Sequence, residues 1–170
     1  MASLGRALAV GAAAGAAGTT ALNAVAYLDM AVRGRPTSDT PERTVERLAD
    51  ELGVEIPGDP DTRSNRVAGL GPLTGIAAGV GVGIAGGLLA GRVRLPLPLA
   101  ALVLGAAAMA ASDGSMAALG VTDPRTWPAS SWLADLVPHL AYGAVTAAVL
   151  ELGRAPVEQV EEAVLRRLPG

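Results

Sequence analysis

The sequence predicts an all-α protein: a four-helix transmembrane bundle with two short peripheral amphipathic helices, forming one integral membrane domain over residues 1–170. Three observations predict it. First, four apolar segments each reach the roughly 20 residues that a helix needs to cross a hydrocarbon core of about 30 Å. Second, 51% of the residues are hydrophobic and the mean hydropathy is +0.41, yet phenylalanine is absent and the aromatics are only Tyr27, Trp127, Trp132 and Tyr142. A water-soluble core relies on aromatic and branched side chains; here Ala, Gly, Leu and Val take their place, which suits slim helices in lipid. Third, Gly71, Gly75, Gly79, Gly83, Gly87 and Gly91 recur at every fourth position of one apolar run. In a soluble helix each would cost about 1 kcal/mol relative to alanine. In a bilayer the same spacing forms a glycine zipper, a flat groove that admits a neighbouring backbone.

The spans are predicted at about 7–31, 67–91, 96–121 and 131–152, each near the length a bilayer requires. The first is the least apolar, because Asn23 and Asp29 oppose insertion. Its small residues Ala7, Gly11, Gly15 and Thr19 offer a packing surface instead. Apolar character continues past Ala24-Val25-Ala26, so this segment reads as a span rather than a cleaved signal. Residues 33–66 form a polar connection. Within it Thr40-Pro41 marks a helix start, and Val45, Leu48, Ala49 and Leu52 make an apolar stripe ended by Gly53. This predicts an amphipathic helix over 41–52, followed by turn material at Pro57-Gly58-Asp59-Pro60-Asp61. A tight hairpin at Arg92–Arg94 joins the middle spans, and Trp127 and Trp132 suit an interfacial belt. A second amphipathic helix is predicted over 156–168, with Glu158, Glu161 and Glu162 early and Arg166 and Arg167 late, as the helix dipole prefers.

Composition removes several classes of function. A net charge of −3 lacks the basic surface a nucleic-acid binder needs. No cysteine and one histidine point away from a metal site or thiolate chemistry, and no cofactor is expected. Gly81-Val82-Gly83-Ile84-Ala85-Gly86 matches the dinucleotide fingerprint, but no strand precedes it. Ser112-Asp113-Gly114-Ser115 lacks the setting of a nucleophile elbow, and no catalytic residue is assigned.

Polar residues inside spans are the candidates for function. At 1.5 Å per residue, Asn23, Thr74, Asp113 and His139 each fall about 12 Å from the same membrane face. A polar layer of these residues is geometrically allowed. In the fourth span Asp135, His139, Tyr142 and Thr146 share one helical face, and Pro138 removes an amide beside His139. Two readings stand. The layer is a proton-responsive or substrate-orienting site, or Asp113 and His139 are a buried hydrogen-bonded pair that holds the bundle in register. The glycine series is open in the same way, between packing inside the bundle and a homo-oligomeric interface. Asp29 pairs with Arg33 one turn later.

Thr122-Asp123-Pro124-Arg125-Thr126-Trp127, followed by Asp135-Leu136-Val137-Pro138-His139-Leu140-Ala141-Tyr142-Gly143, resembles a family of small actinobacterial four-span membrane proteins. The Pro-His-x-x-Tyr-Gly core is also similar to a broader set of small bacterial inner-membrane proteins. The resemblance implies a bacterial plasma-membrane location and no particular activity. The arginine distribution leans towards cytoplasmic termini. Expected partners are the lipid bilayer, and a second copy or another membrane protein. The leading expectation is a non-enzymatic accessory or stress-linked role, with proton or small-solute passage through a polar vestibule. The alternatives are an enzyme or binding protein acting on a lipid-like ligand through Asp113 and His139, and a structural assembly subunit.

Overall fold

A computed structural model describes residues 4–154. It contains the helices α1 (Leu4–Arg33), α2 (Thr40–Leu52), α3 (Pro60–Ala90), α4 (Leu97–Ala118) and α5 (Ala129–Leu152), with one 3-10 turn at Pro124–Thr126. No strand occurs among the described residues. The amphipathic helix predicted over 156–168 lies outside them. α1, α3, α4 and α5 are each long and apolar enough to cross a membrane. The chain is therefore a multi-pass membrane protein.

Helix ends differ most from the sequence expectation at α3, which begins at Pro60 rather than near residue 67. Of the stretch read as a turn, Pro57–Asp59 stays outside any helix, and Pro60 and Asp61 are the helix start. The Asp59 carboxylate accepts from the amides of Asp61 and Thr62, and Pro60 occupies the first helical position, where a missing amide is harmless. α2 matches its expected range and closes on Gly53, whose φ of +63° is open to glycine at little cost.

α1 lies between α3 and α5, α4 packs on α5, and α3 meets α4 only lightly. The α1–α3 seam is backbone on backbone. A Cβ added at Gly83 would fall 2.4 Å from Gly15 Cα, one at Gly87 2.6 Å from the Ala7 carbonyl oxygen, and one at Gly11 2.8 Å from the Gly83 oxygen. No side chain fits in that space. The groove is nevertheless shorter than the glycine spacing predicts. Gly71 instead packs beneath Pro41 of α2, and Gly75 and Gly91 face open space. A straight helix advances 100° per residue, so a four-residue repeat drifts around it and leaves the α1 contact at both ends. Nor is α3 the most buried span, as its glycines suggest: 39% of the most apolar stretch of α5 is buried against 17% of that of α3. α3 sits at the edge of the arrangement and contributes one face.

The ends of the bundle are pinned by arginines. At the terminal end Arg6 donates to the Gly153 carbonyl at 3.0 Å and Arg154 to the Ala90 carbonyl at 2.9 Å. α1 and α3, with 30 and 31 residues, are each about 45 Å long, so their excess over an about 30 Å core emerges at the other end. There α2 folds back on α3, with Arg63 paired to Glu46 at 2.6 Å, while Arg47 reaches the Leu119 carbonyl at 3.3 Å. Asp29 pairs with Arg33 as expected and also with Arg35. In the α4–α5 connection Arg125 grips Asp123 through two 2.9 Å hydrogen bonds, which hold that carboxyl below the usual carboxylate range. Trp127 and Trp132 meet with centroids 5.2 Å apart.

Candidate functional site: a polar cluster between α4 and α5

His139 is placed by glycines on both sides of its helix contact. A Cβ at Gly105 of α4 would lie 2.7 Å from the His139 carbonyl oxygen, and one at Gly143 of α5 only 2.0 Å from that of Ala101. The two backbones therefore touch, and the imidazole of His139 is drawn against α4 with 7% of the residue exposed. Pro138, buried beside it, has no amide, so the Ala134 carbonyl lacks its helical donor.

Both ring nitrogens are engaged. Nδ1 lies 2.8 Å from the Asp135 carbonyl oxygen and 3.4 Å from the Asp135 carboxylate. Both of these are acceptors, so Nδ1 carries a hydrogen. Nε2 lies 3.3 Å from Ser112 Oγ. That hydroxyl also has the Ala108 and Met109 carbonyls within 3.2 and 3.1 Å. It has one hydrogen to give. With the imidazole neutral, Ser112 donates to Nε2. With the imidazole protonated, Nε2 donates to Ser112, which turns its hydrogen to a carbonyl of its own helix. Two protonation states are thus satisfied by one rotation about a single bond.

Two carboxylates complete the cluster. Asp113 is 9% exposed and lies close to Asp135 and His139. The Asp135 side chain is 25% exposed, yet its Oδ2 is buried and has no hydrogen-bond partner among the described residues. Asp113 and His139 do not form the direct hydrogen bond that their matched depth suggests, because Ser112 and Asp135 occupy both ring nitrogens. α4 meets α5 at Gly105 and Gly143, and that register brings Ser112 rather than Asp113 to the ring.

The rest of the predicted layer is dispersed. Thr74 is exposed and bonds back to the Gly71 carbonyl at 2.7 Å, as a threonine in lipid does when no neighbour is in reach. Asn23 is half-buried and makes no hydrogen bond with a described residue. Tyr142, fully buried, turns away from His139 and donates to the Gly79 carbonyl at 2.6 Å. It joins a separate layer with Thr19 and Thr146 at the α1–α3–α5 contact. Thr19 bonds to the Gly15 carbonyl at 2.8 Å and Thr146 approaches that of Ala14 at 3.4 Å. Beyond that layer the core is apolar: Ala14, Leu104, Ala147 and Leu150, with Val10 packed against them.

Sequence reasoning missed Ser112 and Thr19 as members of these layers, while it placed Thr146 on one face with Tyr142. For Ser112 a signal was present: it lies seven residues, two turns, after Gly105 and so on the face that Gly105 and Gly143 bring together. No group of His, Cys, Asp and Glu among the described residues is arranged to hold a metal ion. Comparison with protein-family models, with curated proteins and with solved structures finds no match for this chain.

Proposed function

We propose that this chain is a small bacterial plasma-membrane protein with a non-enzymatic accessory role, in which the α4–α5 cluster binds and releases a proton. The observation that carries the reading is the geometry of His139: one nitrogen fixed on Asp135, the other on a hydroxyl that accepts or donates equally well. The Asp135 carboxylate beside Nδ1 supplies the negative charge that accompanies the protonated ring.

The apolar cluster of Ala14, Leu104, Ala147 and Leu150 supports a site reached from one face over a pathway through the bundle. The proposed role is therefore a response to pH at the face that carries α2, in keeping with a stress-linked accessory protein. Cytoplasmic termini would place that face outside the cell. The glycine series favours packing inside the bundle over a homo-oligomeric contact, because Gly71, Gly79, Gly83 and Gly87 are covered by α1, α2 and α5 of the same chain.

Tryptophan emission tests the proposal. Trp132 lies two turns before His139 on α5, against Trp127. In liposomes the emission of the wild-type protein is expected to titrate with pH, and His139→Gln is expected to abolish the change while a trapped pH gradient decays as in empty vesicles. An identical titration in His139→Gln would overturn the reading. Faster decay of the gradient would replace it by proton passage.

A further inference from the structure

At the end of the bundle that carries α2, a cleft of about 260 Å³ opens between three elements. Arg43, Glu46, Arg47 and Asp50 line it from one stripe of α2, Arg63 from the start of α3, and Gly120 and Val121 from the turn after α4. The spacing of the four α2 residues puts them on a single helical face. The walls are fixed by contacts already described: Pro41 on Gly71, Arg63 on Glu46 and Arg47 on the Leu119 carbonyl.

Hydrogen-bond donors in this cleft exceed acceptors. Each guanidinium carries five N–H groups. Arg63 uses Nη1 on Glu46, Arg47 uses Nε on Leu119, and Arg43 makes no hydrogen bond or ion pair with another described residue. Three guanidiniums face two carboxylates, so the cleft has a formal charge of +1. A guanidinium presents its donors as a planar fork that matches a pair of phosphate oxygens. A tetrahedral oxyanion has oxygens enough to meet arginines from α2 and α3 together. The position points the same way. The cleft lies just beyond the end of α4, a helix of 22 residues and so about 33 Å long, where hydrocarbon gives way to headgroups.

We propose that this cleft is a phosphate site, taking the phosphate of an anionic lipid headgroup or a free phosphate through Arg43, Arg47 and Arg63. The proposal stands apart from the proton site, since none of its residues belongs to that cluster. Arg43 is the diagnostic position, because Arg47 also holds α2 to the α4–α5 turn and Arg63 holds it to α3.

The test uses the full chain purified in detergent. Retention of phosphatidylglycerol against phosphatidylcholine is measured by native mass spectrometry, and stabilisation by inorganic phosphate against chloride at equal ionic strength by thermal unfolding. Arg43→Gln is compared with Arg92→Gln, whose arginine lies at the opposite end of the bundle. A lipid source predicts preferential retention of phosphatidylglycerol that Arg43→Gln weakens about tenfold, equivalent to about 1.4 kcal/mol, and that Arg92→Gln leaves intact. A free source predicts that inorganic phosphate raises the unfolding midpoint of the wild type and of Arg92→Gln but not of Arg43→Gln. Equal retention of both lipids with no phosphate effect, or equal losses in the two variants, would overturn the proposal.

Discussion

Gly83→Ala is the smallest change that tests the α1–α3 seam. The added methyl would sit 2.4 Å from Gly15 Cα, 2.5 Å from Gly15 N and 2.6 Å from the Gly11 carbonyl oxygen. All three are backbone atoms, so no side-chain rotation relieves the clash. Restoring ordinary carbon–carbon contact near 3.5–4.0 Å requires the helices to part by about 1 Å, and a gap of that size forfeits a quarter to a half of each neighbouring dispersion contact. Overpacking of this kind costs about 1–3 kcal/mol. Gly75→Ala is the control. It lies on the same helix, meets nothing within 4 Å, and gains up to about 1 kcal/mol from the helix preference of alanine. The two variants should therefore differ by about 2–4 kcal/mol, on the order of 4–16 °C in unfolding midpoint for a chain of this size. Thermal unfolding in detergent measures it. Equal midpoints would refute the claim that α1 and α3 meet backbone to backbone.

Tyr142→Phe removes a buried hydrogen bond to the Gly79 carbonyl and should lower stability by about 1 kcal/mol, whereas Tyr27→Phe, at a residue 62% exposed, should change nothing measurable. Asp59 gives a pH dependence of known sign. Its carboxyl is held below the usual range by the Thr62 amide and hydroxyl, so the cap is fully present above about pH 4 and is lost as pH falls through the lowered value. The protection of amides in the first turn of α3, taken relative to the intrinsic exchange rate at each pH, should fall in acid, and Asp59→Ala should show low protection at either pH. Because the chain has no cysteine, Ser64→Cys and Val93→Cys report topology cleanly. The two thiols should label from opposite sides of the membrane, and labelling from one side would contradict the four-span arrangement.

The spans were legible because membrane insertion depends on the apolarity of each segment, which a sequence carries in full. Helix α2 was legible for a related reason, since Pro41 and Gly53 mark its ends chemically. The start of α3 was not. Residues 61–66 are polar and lie outside the apolar run, and only the cap at Asp59 extends the helix back to Pro60. The site was legible by depth and illegible by azimuth. Depth follows from counting residues, and it placed Asp113 and His139 at similar levels. Azimuth depends on which small residues let two backbones meet, and Gly105 against Gly143 turned Ser112 to the ring. Thr74 shows the same limit. It stands at the expected depth on a face that no helix covers.

The most direct test of the account is the protonation of His139 itself. It is the only histidine in the chain, so labelling histidine with nitrogen-15 gives a spectrum of a single ring. In bilayers, Nδ1 should remain protonated throughout a titration between about pH 4 and 9, a range that brackets an ordinary histidine. Nε2 should pass from unprotonated to protonated, and Ser112→Ala should move the Nε2 shift while leaving Nδ1 on Asp135. A ring that does not titrate in that range, or a neutral form with its hydrogen on Nε2, would contradict the proton site.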